Sequence, residues 1–104
     1  MNCTIRRYES IDQSRKSELV KKVDDSLLPT LSELPGFNGY SVIDAGAGVM
    51  TSVSFFDTSA QADESTRIVA SWLREQKLDT VLSSAPKITS GDVVVHKTRE
   101  LVRA

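Results

Sequence analysis

Polar and apolar positions alternate along residues 36–56, GFNGYSVIDAGAGVMTSVSFF, in two runs joined by a glycine-containing turn. Gly46 and Gly48 supply the backbone freedom that a tight connection needs, and Val, Ile, Tyr and Phe suit a pleated, half-buried surface, so the stretch predicts a β-hairpin. Side chains on a strand alternate between faces, which sorts the hairpin into two sets. Ser41, Ile43, Val49, Thr51, Val53 and Phe55 form one, mainly aliphatic and β-branched. Tyr40, Val42, Met50, Ser52, Ser54 and Phe56 form the other, which mixes apolar and aromatic groups with hydroxyls. The first set is expected to lie under helices, and the second to face something less uniform.

The rest of the chain falls around this hairpin. Residues 3–9 predict a first strand, with Cys3, Ile5 and Arg7 on the helix side and Thr4, Arg6 and Tyr8 on the other. From Gln13 to Leu34, apolar residues recur at three- and four-residue steps (Leu19, Val23, Leu27, Leu31, Leu34), the mark of an amphipathic helix. Pro29 interrupts that pattern and predicts either a kink or a fresh last turn with the proline at its first position. Pro35 and Gly36 end the helix. Thr58 with Gln61 three residues later has capping-box spacing and predicts the start of a second helix reaching Leu82, with a break near Lys77. Residues 83–91 predict a loop, 92–97 (DVVVHK) a last strand, and 99–104 a tail.

The predicted order is therefore βαββαβ, an α+β chain. Right-handed crossovers then give a four-stranded antiparallel sheet with two helices on one face, the ferredoxin-like arrangement. The mixed face, carrying Tyr40, Val42, Met50, Phe56 and Val94, is too apolar to leave in water. A second sheet is expected to cover it, and another copy of the same chain is the economical supplier.

With 104 residues the chain makes one domain, spanning 1–104. Thirteen basic and fourteen acidic side chains leave a net charge of -1 with no long run of either sign, which argues against a nucleic-acid or membrane-surface partner. Cys3 is the only cysteine, so internal disulfides and cysteine-based zinc clusters are excluded. No signal-peptide core and no apolar run near ~20 residues is present, so a cytoplasmic location is expected. An RNA-recognition domain shares the element order, but VMTSVSFF lacks the basic residue that such a third strand requires. DAGAG does not lead from a strand into a helix and reads as a turn, not a phosphate loop.

His96 is the only histidine and the natural general base if the protein is an enzyme. Its expected neighbours are Arg6, Tyr8, Tyr40 and Ser52 or Ser54, a set able to hold and deprotonate an acidic phenol. The competing reading is a strand histidine that bonds across a dimer. Arg6 and Arg7 could neutralise a carboxylate or phenolate, or pair with an acid of a partner chain. Trp72 could stack on an aromatic ligand, although its spacing from Val69 and Leu73 is that of a core residue. Asp44 and Asp57 read as solvated or capping residues at strand ends, and Cys3 has no basic neighbour in sequence to activate it.

IRRY, LLPTLSELPGFNGY, VIDAGAGVMTSVSFFDTSAQADES and ITSGDVVVH together resemble the antibiotic biosynthesis monooxygenase-like group of small dimeric α/β-barrel proteins. The resemblance covers nearly the whole chain. It implies a homodimer whose sheets close into a barrel, with a ligand cavity either between sheet and helices or towards the barrel interior. It also implies a cofactor-independent monooxygenase, or a related acid-base catalyst, for a small aromatic or quinol-like substrate. His96 and Tyr40 are then the candidate catalytic residues, with Arg6, Tyr8, Ser52, Ser54 and Trp72 as substrate-binding candidates and no metal site. Asn38, Tyr40, Trp72 and Arg6 are similar in type to the lining of the polyketide oxygenases. Haem-degrading relatives carry a histidine on the second helix, where this chain has none, so no haem role is carried over. No flavin or nicotinamide motif is present, so no cofactor is expected and the substrate's own electrons must reduce oxygen. The alternative is a non-catalytic dimeric module that binds a small apolar ligand or serves as an accessory protein.

Overall fold

The computed structural model describes residues 1–82 and 84–97; the expected tail, 99–104, lies outside them. Strand β1 (Asn2–Tyr8) is followed by a 3-10 turn (Gln13–Arg15), α1 (Lys16–Lys22), a π turn (Val23–Leu27) and α2 (Leu28–Ser32). The hairpin β2 (Phe37–Gly46) and β3 (Val49–Phe56), then α3 (Ser59–Glu75) and β4 (Lys87–Asp92), complete the chain. The strands lie in the order β2-β3-β1-β4, each neighbour antiparallel, with the helices on one face. This is the ferredoxin-like arrangement.

Local chemistry accounts for the joints. Thr58 Oγ1 accepts from the backbone N–H of Gln61 at 3.3 Å, and Gln61 Oε1 accepts from the Thr58 N–H at 3.1 Å, the reciprocal pair that starts α3. The hairpin turn places Gly46, Ala47 and Gly48 at φ 80°, 52° and 77°. Two residues at positive φ between Gly46 and Val49 match the right-handed strand twist. In the first helical layer the chain meets Pro29 by widening one turn: the Leu28 N–H reaches the Val23 carbonyl, and α2 restarts with Pro29 in its first turn. A missing N–H is tolerated there, where helical donors have no internal partner.

Ile11, Leu19, Leu27, Leu31, Met50, Val69, Trp72, Leu78 and Val81 form the buried apolar cluster between sheet and helices. Full burial of such a side chain contributes about 1.5–3 kcal/mol each, so this layer supplies most of the apolar stabilisation.

Two expectations are corrected. The last strand is Lys87–Asp92, earlier than DVVVHK, and falls largely in the predicted loop. It is an exposed edge strand held by register, with Asn2 opposite Asp92 and Arg7 opposite Lys87, and it needs no apolar residues to pair. Only the Val93 N–H continues the pairing, onto the Met1 carbonyl at 2.9 Å. The second correction concerns the faces. The two sets of side chains are grouped as expected, but the helices cover the mixed one: Met50, Ser52, Ser54 and Phe56 are buried. Val49, Thr51, Val53 and Phe55 are half-exposed on the open face, and Ile43 there is 48% exposed. On β1 the same exchange buries Thr4 and Arg6 under the helices and leaves Cys3, Ile5 and Arg7 outside. The physical reason is that the helix-covered face also walls a cavity and holds a buried polar cluster. That face therefore needs hydroxyls as well as methyl groups.

Candidate functional site

A cavity of about 540 Å³ lies between the sheet and the helices. Leu19, Leu27, Met50, Val69 and Trp72 give it apolar walls, and Tyr8, Tyr40 and Ser52 bring the sheet's polar groups into it. Lys21 and Asp24, both exposed, belong to the same lining, so the cavity opens to solvent beside the first helical layer. A mostly apolar concavity with a few converging polar groups is the usual form of a small-molecule site.

Strand register puts those polar groups together. Tyr8 stands opposite Met50, Arg6 opposite Ser52, and Tyr40 opposite Ser54, all on the helix-covered face. Burial pushes the Tyr40 phenol above its ordinary pKa, while the hydrogen bond with Ser52 and the charge of Arg6 pull it back. Burial raises Tyr8 in the same way, and there Arg6 opposes while Tyr40 adds to the rise. Both phenols are therefore neutral O–H donors at neutral pH.

Arg6 is the unusual member of the cluster. It is only 2% exposed, yet among the described residues no carboxylate forms an ion pair with it. Nη1 donates to Ser54 Oγ at 3.4 Å, Nη2 donates to Thr66 Oγ1 on α3, and Nε has no partner among the described residues. Desolvation lowers its pKa, with the nearby Tyr8 and Tyr40 opposing. A guanidinium starts so far above neutrality that it keeps its charge. Among the described residues the fold thus holds a cation out of water with only hydroxyl partners, an arrangement that is unfavourable for an unpaired charge.

Trp72 is both wall and core: it is buried, lines the cavity, and its indole N–H donates to Ser26 Oγ at 3.0 Å. Arg6, Tyr8, Tyr40, Ser52, Ser54 and Trp72 thus converge on one side of the sheet. His96 does not join them. It is exposed beyond β4, with its ring 6.0 Å from that of Phe55, whose side chain belongs to the open face. Asn38 is exposed and donates to Asp57 at 2.8 Å. Arg7 pairs with Glu9 of its own chain at 3.2 Å. Asp44 caps the hairpin turn by accepting from the Gly46 N–H at 3.0 Å, and also pairs with Lys16. Burial pushes the Cys3 thiol up, the opposite of activation.

Sequence reasoning missed Thr66 and Ser26, the hydroxyls that hold Arg6 and Trp72. For Thr66 a signal existed: it lies one turn from Ala62 and near Val69 in the buried stripe of α3, where a hydroxyl needs a partner.

No protein-family model and no curated protein matches the chain. Solved structures do match over nearly its full length. A protein of unknown function from Nitrosomonas europaea superposes with a TM-score of 0.77 at 19% identity, covering 95% of this chain and 94% of the other. A monooxygenase from the gene ActVA-Orf6 of Streptomyces coelicolor, in complex with nanaomycin D, gives 0.71 at 14% identity, covering 95% and 92%. A dimeric ferredoxin-like protein from an uncultured marine organism gives 0.64 at 14% identity, covering 94% and 97%. The chain is thus similar in fold to antibiotic biosynthesis monooxygenase-like proteins.

Proposed function

We propose that the protein is a cofactor-independent monooxygenase for a small aromatic substrate of the anthrone or quinol kind, bound in the cavity between sheet and helices. The observation that carries this reading is the convergence of two neutral phenols, Tyr8 and Tyr40, and the Ser52 hydroxyl on the wall of an apolar cavity. Such a wall favours the enolate or phenolate form of a bound ring, because O–H donors fixed in an apolar surrounding stabilise negative oxygen. An anthrone enolate carries the electrons that oxygen needs. The CH2 group of anthrone thereby becomes C=O: one oxygen atom enters the product, the other leaves as water together with the proton lost in forming the enolate, and all four electrons come from the substrate carbon. In this reading Tyr40 holds the reacting oxygen, Tyr8 and Ser52 orient the ring's substituents, and Trp72 forms the flat wall. The likeness in fold to a monooxygenase in complex with nanaomycin D supports the same choice.

His96 has no part in the proposed reaction, since it stands outside the cavity. That position is also the one observation favouring a second reading, a ligand-binding module without catalysis. We further propose that the open face, with Ile5, Ile43, Val53 and Phe55, packs against a second copy to close the barrel. Oxygen uptake by purified protein with anthrone and no added cofactor tests the activity against the uncatalysed background. Uptake accelerated by wild type and lowered at least tenfold by Tyr40→Phe is expected. A rate equal to background would favour the binding module.

A further inference from the structure

Beside the main cavity lies a second, of about 480 Å³, and Tyr8, Val69, Leu73 and Leu82 belong to the walls of both. Arg6 lines this second chamber, together with Ile88 on β4 and Pro86 just before it. Building on the reading of the main cavity as an aromatic-ligand site, we infer that the ligand carries a carboxylate, which pairs with Arg6 in the second chamber while the ring lies in the first.

Three features lead to that anion. The guanidinium is 2% exposed, and among the described residues its charge has no counterpart and its Nε no hydrogen-bond acceptor. Its two hydroxyl partners, Ser54 and Thr66, fix the fork in place without neutralising it. The chamber's own charged groups do not resolve this: Arg74 adds the same sign, and Asp79, exposed at the wall, forms no ion pair with Arg6. A forked cation, itself buried and held by two hydroxyls, matches a planar carboxylate and discriminates against an uncharged isostere, since the neutral group leaves the buried charge as it was. Tyr8, shared by both walls, marks where the acid-bearing side chain of the ligand crosses from one chamber to the other.

The test uses 3-(2-naphthyl)propanoate and its methyl ester as probes. Calorimetry gives both affinities, and quenching of Trp72, the only tryptophan and a wall of the main cavity, reports where the ring sits. The acid is expected to bind wild type at least tenfold more tightly than the ester, and Arg6→Met to abolish that preference by weakening the acid. Where Arg6→Met does not fold, Arg6→Lys takes its place, and loss of the fork should cut the preference several-fold. Equal wild-type affinities, a preference that survives in the variant, or binding of neither probe would overturn the inference. Equal binding of acid and ester alongside oxygen uptake with anthrone would remove the carboxylate alone. Acid preference without oxygen uptake would remove the oxygenase and leave the carboxylate site standing.

Discussion

The indole N–H of Trp72 on α3 donates to the Ser26 hydroxyl in the π turn at 3.0 Å, so the widened turn and the cavity wall are joined by one hydrogen bond. The turn that accommodates Pro29 thereby also positions the aromatic wall. Ser26→Ala would leave a buried indole donor without its partner, at a cost of about 1–2 kcal/mol. Denaturant unfolding should record that loss, and the emission of Trp72 should shift as the indole is freed to move.

Gly36 and Gln61 make a second fixed pair. Gly36 has φ +78°, and a Cβ placed on it would stand 1.9 Å from Gln61 Oε1, the atom that caps α3. Gly36→Ala therefore combines a left-handed backbone at roughly 1–2 kcal/mol with disruption of the cap at about 1 kcal/mol. Pairing it with Gln61→Ala separates the two terms. In the double variant only the backbone strain is added, so the two changes should be less than additive in unfolding experiments.

These joints were legible in the sequence because they are local. Thr58 and Gln61 announce their cap by spacing, and Pro29 announces a restart by its chemistry. The faces were legible only as sets. Alternation groups Met50 with Ser52 and Val53 with Phe55, but aliphatic residues suit a helix layer and a facing sheet equally, and a cavity wall calls for the hydroxyls that sequence reasoning placed outside. The last strand was hidden for a related reason. Lys87–Asp92 pairs through its backbone along β1 and is exposed throughout, whereas Val94 and Val95, which look like a strand, are 90% and 87% exposed.

That exposed aliphatic surface makes a prediction about assembly. If Ile5, Ile43, Val53 and Phe55 meet the same face of a second copy, Val53→Glu places a charge at the centre of the contact, where an unpaired buried carboxylate is strongly unfavourable. Sedimentation should show wild type as a dimer and the variant as a monomer that retains its helical circular dichroism. A wild-type monomer at high concentration would remove the proposed contact.

Acid stability follows from Glu18. Hydrogen bonds from Arg15 and Lys22 hold its carboxyl down at about 2, against an ordinary value of 4.5. Because the folded value is the lower one, the stabilisation is complete above about pH 4.5 and is lost as the pH falls towards 2. The group is exposed, so solvent screens the effect and keeps it small. Glu18→Gln should lower stability at pH 7 and flatten the pH dependence of unfolding between those two values. A wild-type profile unchanged by the substitution would show that the ion pairs do not hold in solution.

Arg6 gives the sharpest prediction, because stability and binding should move in opposite directions. Among the described residues the buried guanidinium has no anion beside it, and an apolar side chain of similar length in its place removes the cost of holding an unpaired charge out of water. Ser54 and Thr66 would lose a donor in Arg6→Met, but each hydroxyl keeps a backbone carbonyl within reach, Thr4 for Ser54 at 3.5 Å and Ala62 for Thr66 at 3.2 Å. Thermal unfolding of Arg6→Met should therefore occur at or above the wild-type temperature while its preference for an aromatic acid is gone. A residue kept for packing would behave otherwise, since its loss would lower the unfolding temperature. A marked fall in stability would mean that the protein itself supplies the compensation, and the charge would then have no need of a ligand.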